Sequence, residues 1–192
     1  MSVYPNIKLE TIAIRTQHGI SNSAGKLDIK RFGNCDDVAS VQVNLTSVQY
    51  DYNDDGLCDT VHGKYDVHSY DPNVHYELWM TTYQCSPTSL SQCNENARKY
   101  VVHASCDELH DGDIGPWTML TKAMKGSRCG DDVGGFELVS AKLLPEYLVN
   151  YLGDDPALTR HRVQMLFHKA GDNRVDNHPR GCVNIEFDVI NA

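Results

Sequence analysis

Seven cysteines are spread over the 192 residues of this chain, and the last of them opens its final patterned segment. In Gly181-Cys182-Val183-Asn184-Ile185-Glu186-Phe187-Asp188-Val189, apolar side chains at 183, 185, 187 and 189 alternate with polar ones at 184, 186 and 188. Side chains two apart on a strand share a face, so the segment reads as a half-buried strand closing the chain. A cysteine at its start can pin that strand to a distant one. Cys35 is the candidate partner, because it precedes another alternating run, from Val38 to Val48. The cysteines are scattered and form no C-x-x-C pair, a usage that fits disulfides better than zinc or thioredoxin-type chemistry.

That usage implies an oxidising compartment. The N-terminal stretch from Met1 to Ile14 carries Lys8 and Glu10 inside its only apolar run, so it is not itself a signal peptide. The expectation is a secreted or endolysosomal chain whose signal has been removed. Asn44-Leu45-Thr46 is an N-glycosylation sequon, with Asn44 as the acceptor, and agrees with that compartment. No apolar stretch approaches the roughly 20 residues needed to cross a bilayer as a helix. A formal charge of −9, with no basic run to neutralise phosphates, argues against a nucleic-acid partner. It would also repel an anionic membrane at neutral pH. Protonating the nine histidines would cancel that charge near about pH 5, if they titrate close to their ordinary value.

Residues 1–33 form a polar leader with weak alternation at Ile7, Leu9, Ile12 and Ile14, followed by the turn formers Gly19, Asn22, Ser23 and Gly25. It could be an extra strand or an exposed arm. From Asp36 onward, strand-like runs alternate with turn clusters: Val38–Tyr50, His62–Tyr70, Val74–Tyr83, Lys99–Ala104, Phe136–Ala141, His161–His168 and Cys182–Ile190. The Val74–Tyr83 run is apolar on both alternating faces and reads as central. Short strands separated by Asp, Asn, Gly and Pro predict an all-β sandwich or cup of one domain, residues 34–192. Two stretches break the rhythm. In 107–128, Trp117, Leu120 and Met124 could share one face of a short helix, and 143–152 is likewise apolar and Pro-punctuated. Connections are normally polar, so both are either folded onto the core or form a greasy rim at a cavity mouth.

Taken together, the order of elements resembles that of the ganglioside GM2 activator branch of the lipid-recognition (ML) superfamily. The likeness rests on Asn34-Cys35-Asp36, Ser105-Cys106-Asp107-Glu108-Leu109, Cys129 before Gly134-Gly135-Phe136-Glu137-Leu138, Leu144-Pro145-Glu146-Tyr147-Leu148, and the closing Gly181-Cys182-Val183-Asn184-Ile185. It implies disulfides Cys35–Cys182, Cys85–Cys93 and Cys106–Cys129. It also implies a β-cup around an apolar cavity that takes lipid acyl chains, without catalytic machinery or cofactor. Such a protein lifts a lipid or glycolipid from a membrane by transient contact, moves it, or presents it to a hydrolase. Cys58 and the 1–33 leader have no counterpart in the resemblance. Cys58 is left as a free thiol or as an intermolecular bridge making a homodimer.

On this reading Trp79 is a cavity-wall residue, and Ile114, Trp117, Met119, Leu120, Leu144, Tyr147 and Leu148 surround the mouth. Asp51-Tyr52-Asn53-Asp54-Asp55-Gly56 resembles the first half of a calcium loop, but His62 stands where a bidentate Glu is needed. An acidic turn between strands is the favoured account. His62, His68 and His75 have spacings that fit no standard zinc motif, so no metal site is expected. No hydrolase or phosphate-loop motif occurs, and the chain is not expected to be an enzyme. The competing class is a secreted recognition or signalling protein with the same fold.

Overall fold

The computed structural model describes residues 26–36, 42–68, 76–86, 88–104, 108, 113, 115–125, 133–148, 150–152, 159–170 and 179–190. They are mostly strand: β1 (Lys26–Asn34), β2 (Val43–Tyr52), β3 (Cys58–Val67), β4 (Tyr76–Ser86), β5 (Ser89–Ala104), β6 (Met124–Lys125), β7 (Gly134–Lys142), β8 (Arg160–Lys169) and β9 (Gly181–Ile190). A 3-10 turn at Gly115–Trp117 runs into α1 (Thr118–Ala123), and α2 is the single turn Pro145–Leu148. The fold is all-β with a short helical segment, as the turn-punctuated alternation predicts.

The strands follow one path, β5-β4-β8-β9-β2-β3-β7-β6, with β1 added on β9. Its weak point is the middle. β9 and β2 meet at a single parallel pair, Val43 opposite Gly181, whereas β9 pairs with β1 and β8 along its length. The path therefore divides into two ladders, β1-β9-β8-β4-β5 and β2-β3-β7-β6, joined at one corner. Both contribute to one core. Leu78, Met80, Val163, Met165, Ile185 and Phe187 from the first cluster with Val61, Tyr65, Leu138 and Ala141 from the second.

Asn34 ties the corner. Its side-chain amide donates to the Leu45 carbonyl at 2.9 Å and accepts from the Leu45 N–H at 2.8 Å. It thus stands in for a strand residue where the β2–β3 register shifts between Leu45 and Ser47. The same corner holds the Cys35–Cys182 disulfide. Cys85 and Cys93 form the second disulfide, across the β4–β5 hairpin where they are register partners. Cys106 and Cys129 lie outside the described residues.

The leader's end is structural. β1 begins at Lys26 and runs antiparallel to β9, so a domain boundary at 33/34 would cut through a strand. The run at Ile7–Ile14 lies outside the described residues. β9 also departs from the half-buried expectation. Its 183, 185, 187 face turns inward, but Asn184 and Glu186 on the other face are buried too. They are covered because β9 is an interior strand flanked by arginines. Arg162 on β8 donates to Glu186 at 3.2 Å and Arg31 on β1 approaches it to 4.0 Å. Arg160 grips Asp188 through two bonds of 2.7 and 2.8 Å. A paired, bidentate geometry of this kind is what lets carboxylates stay under cover.

Candidate functional site

The two apolar connections converge on the space between the ladders. Trp117, Met119, Leu120 and Ala123 are buried and belong to the common core. The Trp117 ring lies 6.5 Å from that of Phe167 on β8, which itself stacks on Tyr76 of β4 at 4.4 Å. The chain then leaves α1 and pairs with the opposite ladder, Met124 opposite Leu138 on β7. This first strap therefore reaches from one ladder to the other.

The second strap does the same. Leu143 N–H donates to the Asp59 carbonyl of β3 at 3.0 Å. Eight residues on, the Tyr151 carbonyl accepts from the Thr82 hydroxyl of β4 at 2.5 Å and from the Asn96 amide of β5 at 3.1 Å. Between those anchors, Leu148 is fully buried in the core.

One carboxylate clasps the straps together. Asp113 accepts from Gly115 N–H at 3.2 Å, from the Thr118 hydroxyl at 2.9 Å and from the Tyr147 hydroxyl at 3.1 Å. The first bond is an Asx turn, the local arrangement that makes Asp before Gly a chain-reversal signal. The bonds from Thr118 and then Gly115 hold the Asp113 carboxyl below the usual carboxylate range. Partial burial, and then the bond to Asp113, push the Tyr147 hydroxyl up. Asp113, Thr82, Asn96 and Tyr151 were not singled out from sequence. Only the Asp-x-Gly-Pro spelling at 113–116 offered a signal.

The structure thus brings Trp117, Met119, Leu120 and Leu148 together, with Leu144 and Tyr147 half-buried beside them. Ile114 lies outside the described residues. These side chains are folded onto the core, which is the first of the two alternatives the sequence allows. Trp79 is elsewhere. It alternates with Leu78 and Met80 on β4, so it faces away from the core they form, and its ring lies 5.5 Å from His168.

Cys58 is a free thiol, fully buried, and donates to the Thr60 carbonyl at 3.4 Å. Burial pushes its thiol up from the ordinary range, making it a poor nucleophile. An intermolecular bridge there would require β3 to come away from the core, so the enclosed geometry favours the free thiol. The acidic loop is the β2–β3 turn: Asn53 Oδ1 accepts from Asp55 and Leu57 N–H, each at 3.0 Å, and Gly56 takes a positive φ of 74°. Among the described residues no group of His, Cys, Asp and Glu could hold a metal ion. His62 instead bonds Asp51 at 2.6 Å and accepts the Ser140 N–H at 3.1 Å, while His75 lies outside the described residues. Asn44 sits half-buried in β2 opposite Asp66. No helix among the described residues is long and apolar enough to cross a membrane.

Comparison with protein-family models gave no match, and comparison with curated proteins gave none either.

Proposed function

We propose that the protein is a secreted or lumenal lipid carrier of the lipid-recognition kind, which takes an acyl chain between its two ladders beneath the clasped straps. The observation that carries this reading is how the straps are attached. They cover an interior of Leu, Met, Val, Ile and aromatic side chains, yet they are tied to each other through the side chains gathered on Asp113 rather than by a strand ladder. Fastened this way, the helical turns at 115–123 and 145–148 can part from each other while their anchors on the sheets stay paired. The energetic demand is large: about 0.8 kcal/mol for each methylene moved from lipid to water, or roughly 13 kcal/mol for a 16-carbon chain. An exposed patch cannot replace that shelter, but the space between two apolar sheet faces can. The polar head would stay at the rim near Tyr147, open to a transient membrane contact or to a hydrolase partner that reads a glycolipid's sugars.

A second reading has its own support. Leu78, Met80, Val163, Met165, Ile185 and Phe187 are fully buried by the protein's own atoms. An interior filled in this way suits a secreted recognition or signalling protein that binds through its outer surface. Native mass spectrometry of protein from its natural source separates the two. A co-purifying acyl lipid, restored after extraction by added lipid, supports the carrier. A bare mass that no acyl lipid shifts supports the second reading.

A further inference from the structure

Three polar groups of the first strap are committed, and a fourth is not. Gly115 N–H and the Thr118 hydroxyl both donate to Asp113, and the Thr121 hydroxyl donates to the Thr118 carbonyl at 3.4 Å. The fourth is the indole N–H of Trp117. The residue is 5% exposed, and its Nε1 is buried without a hydrogen-bond partner. A buried donor left unmade costs the full desolvation penalty of that group, and such groups are rare enough to call for a cause. A phenylalanine would fill the place beside Phe167 without that cost.

We propose that the Trp117 N–H is the group that reads the ligand, selecting lipids in which an ester or amide carbonyl joins the acyl chain to its head. The inference rests on the carrier reading and adds the ligand's linkage chemistry. An indole N–H only donates, so its partner must be an acceptor. Its position fits the junction of a lipid rather than the chain or the head. The Trp117 ring stands near Phe167, which stacks on Tyr76 in the apolar interior, and the next residue, Thr118, is bonded to the exposed Asp113 that also holds Tyr147. A carbonyl one bond from the first methylene of an inserted chain would come to rest at that level.

Displacement of a fluorescent acyl probe tests this with two competitors of equal length and shape, methyl palmitate and hexadecyl methyl ether. The wild-type protein should bind the ester about five- to tenfold more tightly, the worth of one net hydrogen bond. Trp117→Phe should bring that ratio close to one, whatever it does to both affinities. A second measurement needs no variant: the Trp117 indole proton, observed by NMR, should move downfield with the ester and not with the ether. Equal affinities in the wild-type protein, a preference that survives Trp117→Phe, or an indole resonance indifferent to the ester each overturn the assignment while leaving the carrier intact. Failure of both compounds to displace the probe, or of the probe to bind at all, overturns the assignment and the carrier reading together.

Discussion

His161 places an imidazole under cover on β8, stacked on the Phe187 ring at 5.7 Å, with its Nδ1 unpartnered. Burial pushes its pKa down from the ordinary 6.5, against a small opposing pull from Asp188. The unfolded chain therefore binds a proton at a pH where the folded protein does not. Stability conferred by neutral His161 is complete above about pH 6.5 and falls as the pH drops from there towards the depressed folded value. Urea midpoints measured from pH 7.5 to 5 should decline, and the decline should be shallower in His161→Phe. The difference in slope is at most about 1.4 kcal/mol per pH unit; identical slopes would mean that His161 titrates normally. Gly63 is a second position where one residue decides. A Cβ there would stand 2.2 Å from the Ser47 carbonyl oxygen, so Gly63→Ala must push β2 from β3. A loss of roughly 1–3 kcal/mol in thermal or urea unfolding is expected, the usual scale for overpacking. At this scale the sequence was half legible. Alternation picked out Val183, Ile185 and Phe187 as inward, but alternation cannot tell that the opposite face will be roofed by Arg31 and Arg162. Trp79 fails for a related reason. A run apolar on both faces, such as Val74–Tyr83, does not say which face is the core.

Among the elements, β4 is central, between β5 and β8, as its two apolar faces imply. β5 extends N-terminally through the mostly polar residues 89–98, because pairing along β4 supplies what propensity does not. The helix expected to share Trp117, Leu120 and Met124 stops at Ala123, since Met124 gains a partner on β7 instead. The straps themselves were visible as apolar connections, but not the carboxylate that joins them. Asp113→Ala should loosen both at once. Hydrogen exchange should quicken in 115–123 and 145–148 while β8 and β9 keep their protection; unchanged exchange in either strap would show that the clasp holds nothing. Because the Asp113 carboxyl titrates below its ordinary 3.8, its contribution is complete above that pH and is lost only as pH falls through the depressed value. The clasp thus persists through neutral and mildly acidic pH.

For the whole molecule, the two described disulfides differ in reach. Cys35–Cys182 spans 147 residues and Cys85–Cys93 only 8. On the chain-entropy model these are worth about 5 and about 2.5 kcal/mol. Against a domain stability of about 5–15 kcal/mol, losing the first should dominate. Cys35→Ala/Cys182→Ala should lower the urea midpoint far more than Cys85→Ala/Cys93→Ala, and equal losses would contradict the view that the long link holds the ladders' corner. The long link was legible because Cys35 and Cys182 each open an alternating run. The single-pair junction of β2 with β9 was not, since register between distant strands leaves no local trace. The claim on which the rest depends is that an acyl chain lodges between the ladders. It is tested most directly by a fatty acyl probe with a photoreactive group at its chain end, crosslinked in place and mapped by peptide sequencing. The predicted labels fall on inward residues such as Leu78, Met80, Met165 and Leu148. Labels confined to outward positions such as Val101 or Val133, or no label at all, would contradict it.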